Sequence, residues 1–316
     1  MYNNNLNAYN QLPEFDGLTF KVDPFTEKKL DNIFPILFEE QPITWLFFRE
    51  EITEVLAAVE NKSALDVGCG SGFWALMLKK NFPHCKIFAI DKNAKAMDYL
   101  EENAINNGIE EKEIEKLNQT YCKTLYPKAS FDLIVLIPPY HLYCPENEGQ
   151  IPCFAAGGEN GYAEFYSQLE IARDHLKENG MILFNQMCLG GEENPEFVQK
   201  IEELFTSGSL EYYNILEPLA SKDFLDTLYP DGEISEEEKK WKDGLKNKFS
   251  KLFYTSGVIY KRGKTCRFTV SSKTCDWKSG EAERWIKNHH YITNQPTWED
   301  RINLHKDINK FMKNEQ

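Results

Sequence analysis

The sequence predicts an α/β fold in which a mostly parallel sheet carries helices on both faces. Three observations lead to this prediction. Residues 63–80 have the pattern of a buried strand, a glycine turn and a helix. Residues 86–91 form a second apolar run, and residues 131–137 are nearly all apolar, as expected of a central strand buried on both faces. Strands that alternate with helices in this way are typical of parallel sheets.

The N-terminal part of the chain is predicted to be an arm over residues 1–45. It is polar at first and then contains two partly apolar segments, residues 18–22 and 33–38. The arm could cap the body of the protein or form a lid over a cofactor. Residues 43–59 carry apolar side chains at helical spacing and are predicted to be an amphipathic helix before the first strand.

The turn after the first strand has glycine at three alternating positions, Gly68, Gly70 and Gly72. Glycine adopts positive φ easily and has no Cβ to block a ligand that approaches the backbone. Asp66 interrupts the strand near its carboxyl end, and the helix from Phe73 presents free N–H groups to the turn. These features predict a ligand site; a turn that merely links strand to helix is the simpler alternative.

Asp91 ends the second strand, about twenty residues beyond the glycines. A carboxylate at this place is the expected acceptor for the two hydroxyls of a ribose. A dinucleotide-binding turn would have its third glycine where Phe73 stands, and here Asp66 precedes the first glycine by two residues. This arrangement favours a ligand with an ammonium group and no pyrophosphate, and it disfavours a nicotinamide-dependent dehydrogenase.

The rest of the chain continues the alternation less regularly. Further helices are predicted at residues 92–107, 162–177, 196–205 and 298–313. Further strands are predicted within residues 109–124 and at residues 181–184, 210–216 and 253–260. The predicted units are the arm at 1–45, a central domain at 46–262 with a helical insertion at about 220–251, and a C-terminal extension at 263–316.

Pro138, Pro139, Tyr140 and His141 directly follow the central strand. Ligands of open α/β sheets bind at the carboxyl ends of strands, so we expect these residues beside the glycine turn. The prolines hold a stiff backbone whose carbonyls can accept hydrogen bonds from a planar amide or amine, on which Tyr140 can stack. His141 is the nearest candidate for a proton acceptor and Tyr143 the second. A proline turn and a solvated loop histidine are the alternatives.

The segments described so far resemble motifs of the class I S-adenosylmethionine-dependent methyltransferases. The glycine turn with Asp66 is similar to motif I, and Phe131-Asp-Leu-Ile-Val followed by Pro-Pro-Tyr is similar to motif IV of enzymes that methylate planar nitrogen. Those enzymes are the amino-methyltransferases of DNA and RNA bases and the HemK/PrmC-like protein-glutamine N5-methyltransferases. Residues 155–166 resemble the glycine-rich acidic segment of the glutamine group. The resemblance covers roughly residues 60–190.

The resemblance implies a Rossmann-like sheet of seven strands, of which the last, residues 253–260, is antiparallel. It also implies S-adenosyl-L-methionine as the cofactor, with its methionine part beside Asp66 and the glycines and its ribose beside Asp91. The methyl acceptor would lie beside Pro138, Pro139, Tyr140 and His141. The residues predicted to bind the cofactor are Asp66, Gly68, Cys69, Gly70, Gly72, Asp91, Lys92, Thr120, Tyr121 and Ile137.

The chain departs from the family pattern at two places. Ile137 stands where the family has Asn or Asp, whose side chain accepts a hydrogen bond from the target nitrogen. This departure disfavours glutamine and adenine as targets, whereas an amine, phenol or carboxylate would not need that side chain. Thr120 or Tyr121 replaces an acidic residue that contacts the adenine amine, a group that backbone atoms can also bind.

Composition limits the partners and the compartment. The 316 residues include 50 acidic and 36 basic side chains, for a formal net charge of -14, which disfavours a partner held by phosphate contacts. No apolar run approaches the ~18 residues of a membrane span, and no signal-peptide core is seen. The eight cysteines form no Cys-x-x-Cys pair, which favours a cytoplasmic protein with reduced thiols. His289 and His290 have no further ligand at metal-binding spacing, so no metal is expected.

These observations together predict a methyltransferase that uses S-adenosylmethionine and acts on nitrogen or oxygen of a small molecule or a protein side chain. Two alternatives stay open. One is an amino-methyltransferase of RNA or DNA bases, and the other is a catalytically inactive module that binds the cofactor.

Overall fold

The computed structural model describes residues 14–23, 29–57, 61–263, 267–279 and 295–313. The described strands are β1 (Glu14–Phe15), β2 (Leu18–Thr19), β3 (Ser63–Val67), β4 (Lys86–Asp91), β5 (Ile114–Asn118), β6 (Phe131–Leu136), β7 (Leu176–Gly190), β8 (Gly208–Asn214), β9 (Leu219–Ala220), β10 (Lys251–Lys261) and β11 (Thr269–Thr274). The described α-helices are α1 (Gln41–Leu56), α2 (Phe73–Asn81), α3 (Ala94–Asn106), α4 (Ala163–His175), α5 (Phe197–Leu204), α6 (Ser221–Leu228), α7 (Glu236–Lys248) and α8 (Trp298–Lys313).

A large sheet runs through the protein in the strand order β11-β8-β10-β7-β6-β3-β4-β5, and β9 pairs with β10. The strands from β5 to β7 are parallel to their neighbours, while β10 is antiparallel to both β7 and β8. The seven strands of the predicted fold are therefore present, with the last one antiparallel as expected. The predicted α/β fold class is confirmed.

The centre of the sheet is apolar, as the sequence indicates. Every residue of β3 and β6 is buried, and Leu65 pairs with Ile134 in the parallel ladder between them. The polar exception at the start of β6 is Asp132, whose carboxylate binds Lys62 at 3.0 Å and Lys177 at 2.7 Å. Burial of an acid is tolerated here because both cations neutralise it.

The strand β7 is much longer than the predicted 181–184. It begins directly after α4, and its residues 181–190 pair one by one with β10. The sequence obscured the continuation beyond residue 184 because it contains Asn185 and Gln186, which are fully buried. Their amide nitrogens donate to the carbonyl oxygens of Glu39 and Gly161, which satisfies these buried donors.

Two regions lie outside the central sheet, the segment predicted as an insertion and the arm. The segment predicted as a helical insertion contains α6 and α7, and Ser235 begins α7 with a capping box that includes Glu238. In the arm, β1 and β2 form a hairpin, and the ring of Phe15 lies 5.6 Å from that of Phe73 at the start of α2. Residues 1–13 of the predicted arm lie outside the described residues.

The helix α8 has the bounds that the sequence predicts for a polar helix, yet one side of it is buried. The buried residues include Arg301, Leu304, His305, Ile308 and Asn309. This helix packs against α6 and lies beside the loop that follows β6. Across the described part of the chain, none of the helices has the length and apolar character needed to span a membrane.

Candidate functional site

A cavity of about 340 Å³ lies at the carboxyl ends of β3, β4 and β6. Its volume is within the range of small-molecule sites. The structure brings the predicted site residues to the wall of this one cavity, with two exceptions, Gly72 and Tyr143. Those that line it are Asp66, Gly68, Cys69, Gly70, Asp91, Lys92, Thr120, Tyr121, Ile137, Pro138, Pro139, Tyr140 and His141.

The glycine turn has the backbone conformation that its sequence predicts. Gly68, Gly70 and Gly72 have φ values of 70°, 51° and 87°. Backbone N–H groups of Gly68 and Cys69 donate to the carbonyl oxygen of Ile90, which fixes the turn against β4. Gly72 has a packing role, since a Cβ there would lie 2.4 Å from a methyl group of Leu100.

Asp66 is buried at the end of β3, and its Oδ2 accepts a hydrogen bond from the N–H of Ala75 in α2 at 3.0 Å. The pKa of Asp66 is raised to about 7, because burial and, less strongly, the nearby charge of Asp91 outweigh the lowering effect of the Ala75 hydrogen bond. Among the described residues Asp66 forms no ion pair. A ligand ammonium group in the cavity would supply the missing positive charge and favour the ionised carboxylate.

Asp91 stands at the end of β4, where its carboxylate spans the turn and the next helix. Its Oδ2 accepts from the N–H of Gly70 at 3.0 Å, and its Oδ1 accepts from that of Asn93 at 2.8 Å. Burial raises the pKa of this carboxyl, and these two hydrogen bonds lower it. The two acids therefore lie on one cavity, at the ends of neighbouring strands.

Thr120 and Tyr121, at the place where the family has an adenine-binding acid, both line the cavity. The Tyr121 hydroxyl is 2.9 Å from Nδ1 of His175, so it is engaged within the protein. Thr120 is exposed. Side chains from the arm, which the sequence suggested as a lid, and from the loop near residue 154 also line the cavity. They are Asn32, Ile33, Phe34, Cys153 and Phe154.

The opposite end of the cavity contains a buried charge network that the sequence did not reveal. Tyr140 donates its hydroxyl to Glu40, and Arg301 of α8 donates to Tyr140 at 2.7 Å and to Glu40 at 2.9 Å. Arg301 also binds Glu39 at 3.2 Å. Burial raises the pKa of Glu40 to about 7, although Arg301 opposes this shift. The network fixes the tyrosine of the Pro-Pro-Tyr segment.

His141 lies next to this network and is also bound by α8. Its Nδ1 is 2.6 Å from Nδ1 of His305, and its Nε2 is 2.8 Å from Oδ1 of Asn309. Burial lowers the pKa of His141 to about 4. Tyr143, the second candidate for a proton acceptor, packs in a separate apolar cluster with Leu304.

The described part of the chain contains neither a metal-ligand cluster nor a disulfide. No group of three His, Cys, Asp or Glu side chains there could hold a metal ion. His289 and His290 lie outside the described residues. The described cysteines are free thiols.

Comparison with known proteins agrees with this geometry. Residues 50–149 match the model of the methyltransferase small domain. A release factor glutamine methyltransferase of Flavobacterium psychrophilum is 30% identical over 197 residues, which is 59% of this chain and 64% of that protein. The human MTRF1L release factor glutamine methyltransferase is 29% identical over 182 residues, or 54% of this chain and 52% of that protein. The chain thus spans less than two thirds of these relatives.

Among solved structures, a coclaurine N-methyltransferase is 14% identical, with a TM-score of 0.38 over 69% of this chain and 70% of that one. The family match and the relatives confirm a methyltransferase domain and its resemblance to the protein-glutamine N5-methyltransferases. The methyltransferase match implies S-adenosylmethionine as the cofactor. The roles of the individual site residues stay predictions.

Proposed function

We propose that this protein transfers a methyl group from S-adenosylmethionine to a nitrogen atom of a protein side chain. The proposal rests on one observation: Asp66, Asp91 and residues 137–141 line the same cavity. The names of the relatives support a protein acceptor, because they act on release factors. The net charge of -14 speaks against an acceptor bound through its phosphates.

The residues of the cavity fit this cofactor. Asp66 is a buried carboxylate without a cationic partner in the described chain, as needed for the ammonium group of the methionine part. Asp91 would accept the ribose hydroxyls, and the turn at Gly68 and Gly70 lets a ligand approach the backbone. When bound, the cofactor supplies a methyl group on a sulfonium, a good leaving group.

The protein's own contribution is to position the acceptor and to exclude water. Pro138 and Pro139 offer backbone carbonyls that cannot be moved easily, and Tyr140 is fixed through Glu40 and Arg301. Correct alignment of two reacting groups accounts for a large part of the acceleration of such transfers. These residues therefore select a planar nitrogen and hold it in line.

Binding of S-adenosylhomocysteine, measured by titration calorimetry, tests the cofactor site. Asp91→Asn should weaken binding about 10- to 100-fold, since hydrogen bonds to charged groups contribute roughly 1.5–3 kcal/mol. Asp98→Asn, an exposed acid on α3, is the matched control and should bind normally. Equal affinities of the two variants would contradict the role of Asp91.

Transfer of a labelled methyl group to a purified release factor tests the activity. The wild-type protein should label a side-chain nitrogen of that acceptor. A catalytically inactive cofactor-binding module is the second candidate, favoured by Ile137 in place of a side chain that accepts a hydrogen bond. Tight binding of S-adenosylhomocysteine without any labelled product would establish that alternative, and salt-sensitive binding of RNA would favour a base-modifying enzyme.

A further inference from the structure

Hydrogen bonds around His141 determine which of its ring nitrogens carries the proton. The amide nitrogen of Asn309 donates to the carbonyl of Leu228 at 3.4 Å, so its Oδ1 is the atom that faces Nε2 of His141. A carbonyl oxygen only accepts hydrogen bonds, and His141 must therefore carry a proton on Nε2. The ring is neutral because burial lowers its pKa to about 4, so Nδ1 has a free lone pair.

The tautomer of His305 follows from that of His141. Their Nδ1 atoms are 2.6 Å apart, and the two rings are inclined by only 14°. Since Nδ1 of His141 accepts, Nδ1 of His305 must donate. Burial lowers the pKa of His305 well below its usual range, and the positive charge of Arg301 adds to this effect. His305 is thus neutral, with its remaining lone pair on Nε2.

Nε2 of His305 is a buried acceptor with no hydrogen-bond partner among the described residues. The ring is completely buried, and it lines the cavity. An unsatisfied buried polar atom costs about 1–3 kcal/mol, so its presence calls for an explanation. A ligand N–H in the cavity would satisfy it.

The position of His305 relates this atom to the methyl acceptor. Its ring centroid is 6.0 Å from that of Tyr140, and both residues line the cavity together with Ile137, which offers no side-chain acceptor. We propose that Nε2 of His305 is the hydrogen-bond acceptor for the target nitrogen and the catalytic residue that takes its proton. This inference rests on the proposed function. The helix α8 that supplies it lies outside the residues that match the methyltransferase small domain.

The proton and electron balance of the step is simple. The nitrogen lone pair forms the new bond to the methyl carbon, the electron pair of the broken carbon–sulfur bond goes to sulfur, and the N–H proton goes to Nε2 of His305. A nitrogen of a carboxamide or aromatic amine becomes strongly acidic once it is methylated, so a weak base is sufficient. An aliphatic ammonium group, with a pKa of about 10.4 in lysine, would not give its proton to such a base before the attack. The acceptor class is therefore a carboxamide or an aromatic amine.

Nitrogen NMR of the ¹⁵N-histidine-labelled full-length protein tests the tautomers without any substrate. The resonances of His305 are assigned by their loss in His305→Gln. We expect a protonated Nδ1 and an unprotonated Nε2 for His305, and the reverse pattern for His141. A proton on Nε2 of His305 would overturn the proposal, because that atom could then accept nothing.

A transfer assay with S-adenosylmethionine and a purified release factor tests the role in catalysis. His305→Gln should lower kcat by at least ~100-fold, the usual contribution of an acid–base group, and should leave the affinity for S-adenosylhomocysteine unchanged. His84→Gln is the matched control, since His84 contacts the carbonyl of Leu56 and does not line the cavity.

The outcomes separate this inference from the proposed function. Equal kcat values for His305→Gln and His84→Gln, with an active wild-type protein, would overturn the role of His305 and leave the proposed function intact. A wild-type protein that binds S-adenosylhomocysteine but methylates nothing would contradict both. Unchanged affinity for S-adenosylhomocysteine in His305→Gln confirms that a loss of transfer is not a loss of fold.

Discussion

The two ends of the cavity are built in different ways. At the cofactor end, Asp66, the glycine turn and Asp91 lie within a single strand–helix–strand unit. At the acceptor end, Tyr140 binds Glu40, 100 residues away, and Arg301, 161 residues away. The first end depends on a local motif and the second on long-range docking of α8. The comparison indicates that a short local motif builds the proposed cofactor end, whereas packing between distant parts of the chain builds the proposed acceptor end.

Removal of the Arg301 charge at the acceptor end should cause the largest loss in the free energy of unfolding. Arg301→Met leaves Glu39 and Glu40 buried without their cation, and breaking such a network costs about 3–5 kcal/mol. Urea unfolding of the full chain measures the loss. Lys310→Met, which removes a largely exposed partner of Asp307 on the same helix, should leave the midpoint nearly unchanged. Equal midpoints for both variants would show that the network does not hold this end together.

A substitution in the glycine turn, at the cofactor end, should cause the next largest loss in the free energy of unfolding. Gly72→Ala places a Cβ 2.4 Å from Leu100 and forces a left-handed conformation on alanine, for a combined loss of about 2–4 kcal/mol. The control is Gly244→Ala in the middle of α7, where a Cβ meets nothing within 4 Å. That variant should gain roughly 0.5–1 kcal/mol from helix propensity. A neutral Gly72→Ala would contradict the tight packing of α2 against α3.

The smallest expected effect is a pH dependence at the cofactor end. The folded protein holds the pKa of Asp66 at about 7, above its usual value, so Asp66 contributes stability that is complete below about pH 4. This contribution is lost as the pH rises through about 7. Without cofactor, the free energy of unfolding of Asp66→Asn should therefore fall less between pH 5 and pH 8 than that of the wild-type protein. Glu40 has a raised pKa as well, so the free energy of unfolding of Asp66→Asn should still fall somewhat with rising pH.

The affinity for the cofactor should rise with pH, whereas the stability of the cofactor-free protein should fall. A ligand ammonium group favours ionised Asp66, so the affinity for S-adenosylhomocysteine should rise between pH 6 and pH 8, by at most about tenfold per pH unit. Calorimetry at several pH values measures this rise, and Asp66→Asn should bind weakly with a flatter profile. The same pH profile in Asp66→Asn and in the exposed-acid control Asp98→Asn would rule out Asp66 as the group that titrates.

The helix α8 shows why part of the site could not be predicted. Its bounds were evident from the sequence, and Arg301, His305 and Asn309 recur at a spacing of four residues on one side of it. A polar stripe of this kind usually faces water. Here each member is buried against a partner distant in the chain, namely Glu40, His141 and Leu228. Hydropathy cannot distinguish a solvated polar side from one that is satisfied by buried partners.

The sequence by itself determined the α/β fold class, the positive-φ glycine turn and the two acids that line the cavity. These features follow from local patterns, since strand periodicity, glycine conformation and residue spacing act over short stretches of chain. Tertiary structure alone decided that α8 closes the acceptor end, that β7 continues through Asn185 and Gln186, and that His305 stands beside Tyr140. Those outcomes depend on which buried polar groups find partners across the fold, and such pairings are properties of the packed chain.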